Sequence, residues 1–424
     1  MVKILAVIFA LIFIFPAVSV SYAADVPDET EIEALIQKLA DEDYNVREDA
    51  VRKLCIIGKD AVPALIEALQ DPGWEMRVGA AGALQSMGPD AKEAVPQLII
   101  ALKDEEPRVR AAAAKAFTGI GPEAEDAIDA LLEALGDEEG GVRGSAAWAL
   151  GEIQGKPGLV IPALVKALAD EKWWVSDRAA YSLTLYGRDA VPALIVALEE
   201  GDSSVKWSVA TALGQIGPDA KDAVPSLIGL LADKDPSVRS IAADTLSRLD
   251  PDPEYVVPAL IETLTDEDRW VRATAAESLT RMGKQAKEAA PGLIDALKDE
   301  EPAVRSNAAR ALGEIGAEPG VVRALVEGMV DDSTKVRESI GWALTDIGLG
   351  TLPGLGLESG GAISILVKAL DSEDVDVRTD AAFALGEFGA EAKAAVGKLN
   401  ELAQKEADDE IRWYYRDAIS KIEG

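Results

Sequence analysis

The stretch that decides the fold runs from Pro291 to Gly316 and reads PGLIDALKDEEPAVRSNAARALGEIG. Its first part carries apolar residues spaced for one face of a helix. After an acidic turn, an Ala-rich part shows the same spacing. The stretch therefore predicts two short amphipathic helices joined by a turn. Such a pair cannot bury its apolar faces alone, so it needs similar pairs stacked on either side.

Similar pairs fill almost the whole sequence. The Val-Arg dipeptide of this stretch, or a close variant, recurs about every 33 residues, and about twelve units are predicted between residue 29 and the C-terminus. Its basic residue is Arg47, Arg77, Arg110, Arg143, Lys206, Arg239, Arg272, Arg305, Arg337, Arg378 or Arg412, and Ser176 replaces it once. The predicted fold class is an all-α solenoid of about twelve two-helix repeats.

Boundary signals agree with this division into repeats. Gly-Pro pairs such as Gly88-Pro89 and Gly217-Pro218 follow the second helix of a unit and prevent its continuation. The residues Asp90 and Glu93 then have the spacing of a helix start, so we predict that the next first helix begins there.

The recurring order of Pro, Asp and Val-Arg, as in Pro291, Asp299 and Val304-Arg305, resembles the HEAT repeat. More specifically, it is similar to the bacterial HEAT-like repeats of the phycobilisome-lyase type. The resemblance implies a right-handed α-solenoid whose second helices line the concave face, and a scaffold that binds other proteins. Two enzyme groups share the repeat: bilin lyases, and deoxyhypusine hydroxylases with a di-iron centre held by His-Glu motifs. This chain has no histidine, so the di-iron activity is not carried over.

The composition excludes several function classes. The chain has 424 residues, with 42 Lys and Arg against 75 Asp and Glu, a net charge of −33 and no histidine. Such an acidic chain is not predicted to bind nucleic acid. Histidine-based catalysis and metal binding are excluded, and the single Cys55 cannot form a disulfide within the chain or act as an activated nucleophile. We predict a non-enzyme without a cofactor. The alternatives are an accessory, lyase-like or oxidoreductase-like enzyme, and a Ca²⁺-dependent envelope scaffold.

Residues 1–23 have the pattern of a secretory signal peptide. Lys3 precedes the apolar run Ile4 to Phe15, and Pro16 and a small-residue stretch ending at Ala23 follow. We expect cleavage after Ala23, which leaves a single repeat domain at 24–424 in the periplasm or outside the cell, with no membrane span. An uncleaved anchor is the alternative.

Two charged features recur in the repeats. The pairs Asp104 with Arg110 and Asp299 with Arg305 are predicted to form a structural ladder within and between repeats, since the arginine fork serves several acceptors. Ser176 replaces the basic residue in its repeat, and this substitution predicts altered geometry there. Acidic turns such as 137–139 precede the second helices. They are interpreted as helix caps, or alternatively as an acidic edge that attracts a basic partner or loosely held Ca²⁺.

Aromatic residues at outward positions are the candidate partner-binding residues. The fifth residue after the basic residue points away from the core, and candidates there or one residue after the basic residue are Trp148, Tyr181, Trp342, Phe383, Trp207 and Trp413. They are predicted to anchor a protein partner, or alternatively to fill grooves between helices. A second group at the turns is predicted to cap the solenoid edge: Tyr44, Trp74, Trp173, Trp174 and Trp270.

An insertion rich in Gly and Leu occupies residues 348–361. Its glycine spacing does not match a nucleotide-binding loop, and no strand is predicted before it. We expect a surface loop, or alternatively a loop that contacts a partner.

Overall fold

The computed structural model describes residues 29–316, 319–329, 331–347, 359–373 and 375–424. The predicted signal peptide at 1–23 and residues 348–358 of the predicted insertion at 348–361 lie outside these ranges, whereas residues 359–361 of that insertion begin a helix and do not form a loop. The chain divides into two compact units, of which the first ends at Ala149 and the second runs from Leu150 to Gly424.

The first unit is a series of helix pairs in which a short first helix precedes a longer second helix. Its helices are α1 (Glu29–Gln37), α2 (Tyr44–Ile57), α3 (Val62–Ala68), α4 (Trp74–Met87), α5 (Val95–Ala101), α6 (Pro107–Ile120), α7 (Ile128–Ala134) and α8 (Gly140–Ile153). The boundary between the units falls inside α8. The second helices α2, α4 and α6 pack side by side in this order.

The second unit continues the same pairing. Its helices are α9 (Pro157–Ala167), α10 (Trp173–Leu185), α11 (Val191–Glu200), α12 (Ser203–Ile216), α13 (Val224–Leu230), α14 (Pro236–Arg248), α15 (Pro253–Thr263), α16 (Arg269–Met282), α17 (Ala290–Ala296), α18 (Pro302–Ile315), α19 (Pro319–Gly328), α20 (Thr334–Ile347), α21 (Ser359–Ala369), α22 (Val375–Glu387), α23 (Val396–Lys405) and α24 (Asp409–Glu423). Successive second helices from α10 to α24 pack against one another. No strand occurs in the described ranges, and the predicted all-α solenoid of two-helix repeats is confirmed.

The core is aliphatic and tightly packed. Leu65, Leu98 and Leu131 of successive first helices are fully buried, as is Ala113 of α6. Small residues let the second helices approach closely. At Gly119 of α6, an added Cβ would lie 1.9 Å from the carbonyl oxygen of Gln85 in α4. Only glycine is accommodated at this crossing without a shift of the helices.

The connection after a second helix differs from the sequence-based expectation. Gly88 ends α4 with φ of +66°, a conformation that favours glycine. Residues 88–94 form a 3₁₀ helix, and α5 begins only at Val95, with Pro96 in its first turn. The prediction that Asp90 and Glu93 start the first helix was wrong, because no side chain caps α5. Proline suits this position because it has no N–H that would need an acceptor.

The connection from α8 to α9 has no 3₁₀ helix and uses left-handed residues, with φ of +55° at Gln154 and +45° at Lys156. The Tyr186 hydroxyl lies 3.0 Å from the carbonyl oxygen of Leu150 and 3.1 Å from that of Gly155. Burial raises the pKa of Tyr186 to about 12, so its hydroxyl stays a hydrogen-bond donor at neutral pH. Carbonyls at the end of α8 therefore have a partner despite the irregular turn.

Candidate functional site

Each regular repeat is joined to the next by one basic side chain. Arg110 donates from Nε to Oδ2 of Asp137 at 2.7 Å and from Nη2 to Oδ1 at 2.9 Å. Its Nη1 donates to the carbonyl oxygen of Asp104 at 3.0 Å. The guanidinium thus binds the carboxylate of the following repeat and the main chain of its own repeat. Bidentate pairing of this kind requires arginine geometry.

The same arrangement recurs in the second unit. Arg272 binds the carboxylate of Asp299, and Arg305 binds that of Asp331 while donating to the carbonyl oxygen of Asp299 at 2.9 Å. We call these contacts the ladder, and its carboxylate pairs are Arg77–Asp104, Arg110–Asp137, Lys206–Asp233, Arg239–Asp266, Arg272–Asp299 and Arg305–Asp331. The sequence-predicted residues Asp104 and Arg110, like Asp299 and Arg305, are therefore linked within a repeat through a backbone carbonyl.

Five ladder aspartates, Asp137 and four others, are held in their charged form. At Asp137, burial alone would raise the pKa, but hydrogen bonds from Arg110 and from the Glu139 N–H outweigh it and lower the pKa below its usual value. Hydrogen bonding to Asp137 in turn raises the pKa of Arg110. Asp233, Asp266, Asp299 and Asp331 show the same lowered pKa, for the same opposed causes. These five carboxylates are therefore ionised near neutral pH.

Several repeats depart from this pattern, including those of Ser176 and Arg337. Ser176 is buried, and its Oγ donates to the carbonyl oxygen of Trp173 at 2.9 Å. Arg337 is buried and reaches Asp380 on α22, with Nε 3.2 Å from Oδ2. The position that holds the ladder aspartate in regular repeats is Ser372 here, since Arg378 donates to its carbonyl oxygen. Ser372 in place of the ladder aspartate is therefore the sequence signal that Arg337 pairs with a different carboxylate, Asp380.

Tryptophan is distributed in an unusual way. Six of the eight tryptophans expose between 39% and 73% of their surface, and all six lie in second helices of the second unit: Trp173, Trp174, Trp207, Trp270, Trp342 and Trp413. The buried positions of the second helices are mostly Ala and Leu. The prediction that turn aromatics cap the edge was wrong for Tyr44, Trp173 and Trp270, which are at least 60% exposed. Trp74 is half-buried beneath Arg108, whose Cζ lies 4.7 Å from the ring centroid.

The other candidate anchors differ in exposure. Tyr181 and Trp342 are exposed, whereas Trp148 and Phe383 are half-buried. The Phe383 ring has the ammonium of Lys421 at 5.1 Å from its centroid. Trp148 belongs to the first unit and Tyr181 to the second.

One exposed aromatic cluster lies on α10. The rings of Trp173 and Trp174 meet edge to face, with centroids 6.0 Å apart and an interplanar angle of 85°. Tyr181 follows Trp174 by seven residues, which places both on the same helix face. We call Trp173, Trp174 and Tyr181 the α10 patch.

A groove of about 540 Å³ opens on the second helices α12, α14 and α16. We call it the α14 groove. Its lining residues are Trp207, Pro236, Ser237, Ser240, Ile241, Asp244, Arg248, Asp268, Trp270, Thr274, Glu277 and Arg281. The sequence reasoning missed this groove. The available signal was the seven-residue spacing from Trp270 to Glu277, which puts a turn aromatic and an outward position on one face.

Comparison with known proteins identifies the repeat. The family profile described as HEAT repeats matches residues 32–102, 95–184, 161–247 and 257–345, which is more than half of the chain. The chain belongs to the HEAT-repeat family. None of the curated proteins compared with this HEAT-repeat protein matches its sequence.

Solved structures share the fold of this HEAT-repeat protein at low sequence identity. Kap121p bound to Ste12p matches with a TM-score of 0.61 at 15% identity, over 94% of this chain and 50% of that one. Kap121p bound to Nup53p matches with a TM-score of 0.62 at 14% identity, over the same shares. Kap95 in its Nup1 complex matches with a TM-score of 0.59 at 15% identity, over 93% and 62%. The HEAT-repeat protein thus spans half to about three fifths of these chains.

Metal binding and thiol chemistry would have to use the carboxylates and Cys55. Among the described residues of the HEAT-repeat protein, no three Asp, Glu or Cys side chains are grouped so as to hold a metal ion. Cys55 is half-buried, and burial raises the pKa of its thiol, which keeps it protonated at neutral pH. None of the helices in the described ranges is long and apolar enough to cross a bilayer.

Proposed function

We propose that this HEAT-repeat protein is a non-catalytic scaffold of the cell envelope or extracellular space that binds a protein partner through the α10 patch. The observation that supports the proposal is the outward placement of tryptophan. Trp173 exposes 73% of its surface beside Trp174, while the core is built from small aliphatic residues. Exposed tryptophan clusters supply much of the binding energy in protein interfaces.

The α10 patch is a preorganised surface. Trp173 and Trp174 restrain each other through their edge-to-face contact, and α10 packs against α9 and α12. Ladder pairs hold the following second helices in register, beginning with Lys206 and Asp233 at 2.7 Å. A surface ordered before binding loses little conformational entropy when a partner arrives. Trp342 and Phe383, together with Trp148, are further proposed contact points in other repeats.

The proposed partner is basic. Next to the ladder aspartates stand acids that are more than 80% exposed: Glu138, Glu267, Glu300 and Asp332. These acids add to a chain that carries a net charge of −33. Exposed charge of one sign raises the association rate with an oppositely charged partner and makes that rate sensitive to salt.

The proposed location follows from the sequence. Residues 1–23 have the order of a signal peptide, and the fold does not depend on disulfides, since the chain has a single cysteine. Assignment to the phycobilisome-lyase-type subfamily is likewise a proposal that rests on the repeat pattern. An accessory enzyme would need clustered inward carboxylates in a deep pocket. The α14 groove is open, and its Asp244 and Glu277 are paired with Arg281.

Affinity capture from the native envelope fraction, followed by calorimetry with the captured protein, tests the proposal. The double substitution Trp173→Ala/Trp174→Ala is expected to weaken binding at least about thirtyfold, the loss of one interface hot spot. The matched control is Trp270→Ala, because Trp270 is a similarly exposed tryptophan on another second helix and is not one of the candidate partner anchors. Circular dichroism checks that helicity is unchanged. Equal affinity in the double variant and the wild type would refute the α10 patch as the binding surface.

Loosely held Ca²⁺ along the acidic turns is a second candidate property. It rests on the acidic turns that recur in the sequence, such as residues 266–268 and 299–301. Thermal unfolding with and without Ca²⁺ tests it, since an ion that binds only the folded chain raises the midpoint. An unchanged midpoint would eliminate the Ca²⁺-dependent scaffold.

A further inference from the structure

We propose that the α14 groove binds a neutral oligosaccharide, with a sugar ring stacked on Trp270 and its hydroxyls bonded to the charged floor of the groove. This site is separate from the α10 patch and does not depend on the proposed protein partner. Its volume of about 540 Å³ lies within the usual range for ligand pockets of roughly 300–1,000 Å³.

Trp270 is a held aromatic platform. Its ring is 60% exposed, and the Arg269 guanidinium lies over it with Cζ 5.2 Å from the centroid. Arg269 is itself fixed by Glu301, with Nη1 3.1 Å from Oε1. The arginine supports one side of the indole and leaves much of the ring open. Trp207 of α12, which is also exposed, lines the groove from the other side.

The floor of the groove is a fixed network of paired charges. Asp244 accepts from Arg248 Nε at 2.8 Å and lies 2.8 Å from Arg281 Nη1. Arg281 also donates from Nη2 to Glu277 at 3.0 Å and from Nη1 to Ser247 Oγ at 2.8 Å. The two arginines are therefore already neutralised by acids within the groove. A strongly charged ligand would have to compete with these internal pairs.

A neutral, hydroxyl-rich ligand fits this network without breaking it. A carboxylate has about four acceptor positions, so Asp244 and Glu277 keep capacity for further hydrogen bonds. The hydroxyls of Ser240 and Thr274, which are 2.9 Å apart, provide additional donors and acceptors. A pyranose ring combines an apolar face of C–H groups with a rim of hydroxyls. The C–H face of the sugar matches the face of an indole. The hydroxyl rim matches a floor of fixed hydrogen-bond donors and acceptors.

A peptide is a poorer match for the same surface. The aliphatic groups that line the groove are those of Ile241 and Pro236, so apart from the two indole faces an apolar side chain would find little to bury against. Peptide grooves usually supply apolar pockets for anchor side chains. The combination of two tryptophans with a charge-paired floor therefore favours the oligosaccharide.

Titration of intrinsic tryptophan fluorescence, with calorimetry, tests the proposal on the full chain. The probes are neutral hexasaccharides: cellohexaose, laminarihexaose, maltohexaose, xylohexaose, mannohexaose and chitohexaose. At least one is expected to bind saturably, and Trp270→Ala is expected to weaken its binding about tenfold through loss of one stacking contact. Trp270→Phe, which retains a ring, is expected to weaken it less. Trp342→Ala is the matched control because that exposed tryptophan is outside the groove lining, and its affinity should equal that of the wild type.

Salt dependence separates the two ligand classes. Binding of a neutral sugar should change little between about 0.05 and about 0.5 M salt, whereas binding of a basic peptide should weaken steeply. Octalysine is the peptide probe. The proposal is overturned if none of the six sugars binds, if sugar affinity is the same in Trp270→Ala, or if octalysine binds with a salt-sensitive affinity that Trp270→Ala removes.

Discussion

Replacing Asp137 with alanine would leave the guanidinium of Arg110 largely buried without its carboxylate partner. In the ladder these side chains are only 12% and 13% exposed, and they share contacts of 2.7 and 2.9 Å. Asp137→Ala also removes the acceptor for the Glu139 N–H at 2.9 Å. The exposed pair Lys103–Glu133 joins the same two repeats at 3.1 Å, with both side chains 69% exposed. Glu133→Ala is therefore a matched control in the same unit.

The size of the effect follows from burial. Removing one partner of a buried ion pair costs about 3–5 kcal/mol of unfolding free energy. Arg110 keeps its bonds to the carbonyl oxygens of Asp104 and Glu105, so we expect the lower end, about 3 kcal/mol. Asp137→Asn retains an oxygen for the Glu139 N–H and should cost less, about 2 kcal/mol. For Glu133→Ala we expect about 0.5 kcal/mol or less, as for exposed pairs in general.

Urea unfolding followed by circular dichroism measures these differences through linear extrapolation. Because repeat chains need not unfold in a single step, hydrogen exchange of α6 and α8 amides gives a local measure of the same loss. The lowered pKa of Asp137 means that its contribution is present above the ordinary carboxyl pKa of about 4. It is lost as the pH falls through the folded-state value. The gap between wild type and Asp137→Ala should narrow below about pH 4. A cost for Asp137→Ala no greater than that of Glu133→Ala would refute this reasoning.

Two further outcomes are expected. The wild-type chain should lose stability as the pH falls below about 4, because folding lowers the pKa of several ladder carboxyls; a urea midpoint that stays constant from pH 7 to 3 would contradict this. Gly119→Ala should lower the free energy of unfolding by about 2 kcal/mol, because the added Cβ would meet the Gln85 carbonyl oxygen of α4. Gly82→Ala should raise it by about 0.5 kcal/mol, because the added Cβ would have no atom within 4 Å. Thermal unfolding distinguishes them, and equal shifts would argue against close packing at Gly119. The carboxyls that carry the pH prediction are those of Asp137, Asp233, Asp266, Asp299 and Asp331, whose pKa is lowered.

Much of the fold was predictable because short-range features of the sequence specify each repeat. The dipeptide Gly88-Pro89 marks the end of α4, and the apolar spacing around Leu98 marks the buried face of α5. The start of α5 was misplaced, because the acidic residues 90 and 93 resemble a helix cap although they lie in a 3₁₀ turn. A helix cap and a 3₁₀ turn cannot be distinguished from local sequence here. Both would place these acidic residues directly before the buried first helix.

The candidate sites were less predictable. The spacing of acid and base suggested a ladder within and between repeats, but it did not say which contact is of which kind. In the structure the Asp104 carboxylate pairs with Arg77 of the preceding repeat, and Arg110 donates to the Asp104 carbonyl oxygen. Trp270 was predicted to cap an edge, but it is exposed and lines a groove with Trp207. The ion-pair partners of the ladder residues and the surroundings of the tryptophan rings depend on the distance between neighbouring repeats. The sequence of one repeat does not specify that distance.

The sequence by itself determined the helix pairs, their number and the aliphatic character of their core. Those properties follow from periodicity and backbone preference within about 33 residues. Tertiary structure decided which carboxylate each ladder arginine binds and which tryptophans remain exposed. It also decided that Asp244 and Arg281 meet in the floor of the α14 groove. These outcomes depend on how closely successive second helices pack, a separation that side chains from both helices set together.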